Sequence, residues 1–146
     1  MPPGTPKLKI ACELLECALR LYYEGGSDFA ALHLAGASEE LLGRFVERIG
    51  GESEFASLQR GAMRISKHLN EDGKESKSKN IAALINHAKN ASKHMDQNDI
   101  DHVIFDPRAE TRKILDRAVP NFYNAMTEFE LDETELIRRF HLNHGA

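Results

Sequence analysis

Apolar residues recur along this chain with a helical period, and no stretch alternates with the period of two that a half-buried strand requires. Leu8, Ala11, Leu14, Leu15, Ala18 and Tyr22 define a first helix. Thr5-Pro6 stands at its start, with Thr5 as cap, and Gly25-Gly26 at its end. A second helix starts at Ser27 or Asp28 and runs to about Ile49, with Ala31, Leu34, Ala35, Leu41, Leu42, Phe45 and Ile49 on its apolar face. Ala30, Gly36, Ala37 and Gly43 make it rich in small residues. Each glycine costs about 1 kcal/mol of helix propensity relative to Ala, which points to close packing against a neighbour. Ser53 opens a third helix with Phe55, Leu58, Ala62, Ile65 and Leu69 on its inner face. Residues 71–79 are polar and charged and read as an exposed loop.

The fourth segment, Ile81 to Asp96, organises the functional reading. As one helix capped by Ser78, it sets Ile81, Leu84, Ile85, Ala88, Ala91 and Met95 in an apolar stripe. His87, Asn90 and His94 fall on one flank of that stripe, and Lys89 and Lys93 stack on the outer face beside Asn86. A plain surface helix would carry Glu–Lys pairs there. Residues 97–106 form a connector, in which Val103-Ile104-Phe105 can lie extended against the bundle. Asp106-Pro107 restarts helix; Ile114, Leu115, Ala118, Phe122, Met126 and Phe129 keep the period, with a kink or break expected near Val119 because Pro120 lies inside the run. Asp132 is the expected N-cap of a last helix, with Glu135 three residues on and Leu131 and Leu136 as a hydrophobic staple. The expectation is an all-α bundle of about five to six helices, a single domain over residues 1–146 with a Pro/Gly-rich tail at 1–5.

The length of 146 residues suits one domain with a real core, and 41% apolar with 29% charged residues is ordinary for a globular protein. No apolar run approaches the roughly 20 residues of a membrane span, and the N-terminus lacks a signal-peptide core, so the reading is a cytoplasmic protein with no membrane partner. Cys12 and Cys17 sit five apart on one helix, pointing away from each other, and read as small buried hydrophobes. The net charge of −4 is unevenly spread: residues 60–94 hold eight Lys/Arg against three Asp/Glu, and residues 95–135 hold four against eleven. That pattern fits selective anion binding or self-association of opposite faces, as well as ordinary solvated helices.

The pairs His33/Glu40 and His87/His94 are each seven residues apart, roughly 10 Å along a helix axis, too far for either to chelate one ion. No metal site or cofactor is therefore assigned, although residues from two helices, His33 or Glu40 with His87, leave a metal-binding bundle as an alternative. The chain has no glycine-rich phosphate loop and no nucleophile elbow. What remains is proton transfer and phosphate handling by imidazole, Lys and Asn on the fourth helix.

Lys89-Asn90-Ala91-Ser92-Lys93-His94 resembles the Arg-Asn-x-x-x-His motif of HEPN domains, and Phe29 to Leu42 is similar to the small-residue, His-containing helix that precedes it in many of them. The resemblance implies His94 in the place of the catalytic His, Asn90 in that of the polar residue and Lys89 in that of the Arg. Lys keeps the charge of Arg but loses its bidentate fork. It further implies an RNA- or nucleotide-binding groove supported by Lys93, Asn86 and His87. It also implies metal-independent endoribonuclease activity where the domain is catalytic, and a homodimer in which the motif helices face each other, with His33 and Glu40 in supporting positions. The competing reading is a non-enzymatic module in which the same face binds a protein partner or a second subunit.

Overall fold

The computed structural model describes residues 2–95, 97–98 and 100–144, the last by its backbone alone. Among them are seven helices and no strand: α1 (Lys7–Glu24), α2 (Asp28–Arg48), α3 (Glu54–Leu69), α4 (Ser78–Ile85), α5 (His87–Ala91), α6 (Pro107–Met126) and α7 (Glu135–His144). The all-α bundle read from the sequence is what forms. No helix among the described residues is long and apolar enough to cross a membrane.

The core lies between α1, α2 and α6, with α2 packed against both of the others. Leu15 and Leu19 of α1, Leu32 and Leu42 of α2, and Leu115 and Phe122 of α6 have no exposed surface. Ile137 and Phe140 of α7 close one end of the same cluster. Each such side chain stabilises the fold by about 1.5–3 kcal/mol relative to leaving it in water. Small residues allow the close approach: a Cβ on Gly43 would stand 3.3 Å from Ser53 Cβ, at the start of α3. Ser53 caps α3 by accepting from the Ala56 amide at 3.2 Å, and Asp106 caps α6 by accepting from the Arg108 amide at 3.0 Å.

Four local expectations change. The helix expected to kink or break near Val119 runs unbroken from Pro107 to Met126. Pro120 has no amide hydrogen to donate to the preceding turn. Val119, Asn121 and Phe122 around it are buried against the bundle, and that packing holds the helical path. The last helix is capped by Thr134 rather than Asp132: the Thr134 hydroxyl accepts from the Ile137 amide at 3.2 Å and donates to Glu16 Oε2 on α1 at 2.6 Å. Pro6 occupies the cap position of α1 where Thr5 was expected, and Lys77 precedes α4, leaving Ser78 as its first residue.

The fourth helix departs furthest. It divides at Asn86 (φ −91°, ψ 3°) into α4 and the five-residue α5, and α5 ends in a turn at Ser92 and Lys93. The Ser92 hydroxyl donates to the Ala88 carbonyl at 2.8 Å, a local bond of the kind that competes with helix continuation. The expected apolar stripe is also rotated. Ile81 and Ala88 are buried, but Leu84 is 73% and Met95 76% exposed.

Candidate functional site

The residue that takes the place of Leu84 and Met95 on the inner face is Lys89. It is buried, where the sequence pattern placed it outside. Its stem runs across Gly36 of α2: a Cβ on that glycine would lie 2.6 Å from Lys89 Cδ and 3.2 Å from Cγ. The glycine therefore makes a notch for an aliphatic stem. The ammonium emerges beside α2 and donates to Glu40 Oε1 at 3.1 Å. Glu40 is largely exposed, so the pair joins a covered cation to a solvated carboxylate. One residue earlier in the chain, Glu39 is buried and forms two hydrogen bonds with Arg117 of α6, the one from Nη2 to Oε1 at 3.4 Å. Adjacent carboxylates on α2 thus tie down α5 and α6 separately. Pairing is what makes burial of such charges tolerable.

With Lys89 turned inward, His87 and Asn90 are exposed on the other side of α5, and His94 follows in the segment after the turn. These three line one cleft of about 510 Å³. Its far wall is the connector, which contributes Ile100, His102, Val103, Ile104 and Phe105. Phe105 anchors that wall by packing on the core and against Phe29, with ring centroids 6.1 Å apart. His102 Nδ1 lies 2.6 Å from Asp101 Oδ1, an arrangement that orients the imidazole. Three imidazoles and one carboxamide therefore face one space with an apolar wall. Such groups can donate to phosphate, read base edges and exchange protons.

A second groove of about 730 Å³ separates α2 and α3 from α4 and α5. Asn86 and Lys89 line it, together with Glu39, Glu40, Gln59 and Ser53. The proposed site residues therefore divide. His87, Asn90 and His94 come together; Asn86, Lys89 and Glu40 share the other groove; Lys93 is exposed in the turn between; and His33 is half-buried on α2 and lines neither. Glu40 and His87 face different spaces, and among the described residues no three His, Cys, Asp or Glu side chains gather as metal ligands. Cys12 and Cys17 are free and half-buried, and burial, with Asp132 nearby, pushes the Cys12 thiol above its usual range.

Sequence reasoning missed His102 and the connector wall. The one available signal was Val103-Ile104-Phe105, an apolar run beside a His, which marks a segment that docks without saying where. It also missed Glu39–Arg117, whose partners stand far apart in the chain. Comparison of the chain with models of known protein families, with curated proteins and with solved structures finds no match in any of the three.

Proposed function

We propose that the protein is a HEPN-like module that binds RNA or a nucleotide in the cleft formed by α5 and the connector. The observation that carries this reading is the convergence of His87, Asn90, His94 and His102 on one space backed by Val103, Ile104 and Phe105. The cleft volume lies within the range of small-ligand pockets, about 300–1,000 Å³. Imidazole and carboxamide donors suit a phosphate and a base edge, and an apolar or aromatic wall suits a base face. Lys93, exposed beside the cleft in sequence, supplies the phosphate cation. Lys89 does not take that role in this reading, because its ammonium is held at Glu40.

The same side chains support metal-independent cleavage. One imidazole accepts the proton of a ribose 2′-hydroxyl as its oxygen attacks the adjacent phosphorus; a second donates a proton to the departing 5′-oxygen. The products are a 2′,3′-cyclic phosphate and a free 5′-hydroxyl. His94 and His87 are the candidates for those two positions, in a cytoplasmic setting where RNA is available.

The test is fluorescence anisotropy of a labelled single-stranded RNA in chelator, at several salt concentrations. Wild-type protein is expected to bind. His94→Ala and Asn90→Ala should each weaken binding by about tenfold, the loss of one or two hydrogen bonds to a charged group. Lys93→Ala should lower the salt slope by roughly one phosphate. Lys89→Ala, if folded, should bind within about twofold of wild type, by the arithmetic that little free energy of binding is lost. Absence of binding at high micromolar protein, or a His94→Ala variant that binds like wild type, would overturn the reading. Cyclic-phosphate ends that disappear in His94→Ala would add the catalytic step.

A further inference from the structure

Two arginines stand on tyrosine rings at the end of the bundle where α1 finishes and α6 begins. The Arg108 guanidinium carbon lies 4.1 Å from the centroid of the Tyr22 ring, and that of Arg139, on α7, lies 3.8 Å from the centroid of the Tyr23 ring. The two rings meet edge to face at 5.4 Å, and Arg108 Nη1 also donates to the Tyr22 carbonyl. Burial raises the Tyr23 phenol, and Arg139 and Arg108 both oppose that rise, so both charges stand near one point. Stacking of this kind fixes a guanidinium plane and leaves in-plane N–H groups free for phosphate oxygens. Both side chains are exposed, and among the described residues neither is paired with a carboxylate. The acidic residues close to them in the chain are engaged. Asp106 accepts from the Arg108 amide, Glu110 pairs with Lys113 and Glu135 with Arg138.

A chain of contacts joins this pair to the cleft. Phe105 lines the cleft and packs on the cluster that holds Tyr22, with Tyr23 against the same cluster. Its ring meets that of Phe29, which is 43% exposed, and Arg108 follows it by three residues. The cleft itself has no Lys or Arg among its described walls, so fixed positive charge for a polyanion comes from its surroundings. We propose that single-stranded RNA runs from the cleft past Phe29 and Phe105 onto this pair, where Arg108 and Arg139 hold phosphates of nucleotides outside the cleft. The inference rests on the RNA reading of the cleft and adds a second subsite, so that the ligand is an oligonucleotide rather than a mononucleotide. The exposed ring of Phe29 offers a face to a base between the two subsites.

The test compares two RNAs in chelator: a labelled single-stranded decanucleotide followed by anisotropy, and a dinucleotide followed by titration calorimetry. The single phosphate of a dinucleotide cannot fill both subsites. Two phosphate contacts on a single strand contribute about 1.4 to the salt slope. The double variant Arg108→Gln, Arg139→Gln should therefore cut the decanucleotide's loss of affinity between about 50 and 200 mM salt by about sevenfold. Arg139→Gln alone, which leaves the Tyr22 carbonyl contact in place, should lower the slope by about 0.7, and Arg139→Lys, which keeps the charge, should preserve it. Dinucleotide affinity should stay at the wild-type value in every variant. A decanucleotide slope that Arg139→Gln does not lower, with binding still weakened by His94→Ala, would overturn this inference and leave the cleft reading standing. So would a dinucleotide weakened as much as the decanucleotide, since the arginines would then act on the cleft itself. No binding of either RNA would overturn the cleft reading and this extension with it.

Discussion

Gly36 and Lys89 should be coupled so strongly that the sign of one substitution depends on the other. Gly36 lies inside α2, and Ala there gains helix propensity of about 1 kcal/mol. Its Cβ, however, would stand 2.6 Å from Lys89 Cδ. That atom is in the middle of a stem held at both ends, by the backbone of α5 and by Glu40. Overpacking of this kind costs about 1–3 kcal/mol. Taking a clash of about 2 kcal/mol, Gly36→Ala should destabilise wild type by about 1 kcal/mol net. Lys89→Ala removes the stem and empties the notch, with a loss of about 1–3 kcal/mol from packing and the ion pair. In that background Gly36→Ala meets no clash and keeps only its propensity gain, so it should stabilise by about 1 kcal/mol. The coupling is then about 2 kcal/mol, well above the scatter of independent sites. Urea unfolding of wild type, both single variants and the double variant measures it. Equal effects of Gly36→Ala in the two backgrounds would show that Lys89 does not occupy the notch.

Three further outcomes follow from named contacts. Arg117→Ala leaves Glu39 buried beside an absent partner and should cost about 3–5 kcal/mol by denaturant unfolding, while a double Glu39→Met, Arg117→Met variant should recover most of it. Pro120→Ala restores an amide to an unbroken helix and should raise stability by about 1–2 kcal/mol; unchanged or reduced melting temperature would mean that the proline ring packs more favourably than the missing bond costs. Tyr123 donates to Glu133 Oε2 at 2.8 Å, and burial together with that carboxylate pushes its phenol up to about 12. The folded state therefore holds this proton more tightly than the unfolded state, so the stabilisation is complete below the ordinary phenol value near 10 and is lost as pH rises through about 12. Burial also raises the Tyr23 phenol, so ultraviolet titration is read by difference: Glu133→Gln should bring the Tyr123 transition down and leave that of Tyr23 in place.

The long helices were legible because their apolar residues repeat with one period and their ends carry punctuation. Leu15, Leu42 and Leu115 were each placed on an inner face, and each is fully buried. Periodicity identifies an apolar face without identifying what covers it. Leu58, Ile65 and Leu69 were read as inner by the same logic and remain exposed in the single chain. The inward turn of Lys89 was illegible for a different reason. A lysine is ordinarily exposed, and only a glycine one helix away, at position 36, provides room for its stem. Half of the candidate cleft could be read locally, since His87, Asn90 and His94 share a flank at helical spacing. His102 could not, because a connector without periodicity carries no statement of where it docks.

The chain has seven histidines, and among the described side chains only those of His87, His94 and His102 line the cleft. Imidazole resonances in a carbon–proton correlation spectrum, assigned by single substitutions, therefore give the most direct test of its role. Titration of a short single-stranded RNA in chelator should shift the signals of those three together, along one saturation curve, and leave His33 and His68 unmoved. Saturable RNA binding that shifts none of the three, or that moves His33 and His68 instead, would contradict the assignment of the cleft.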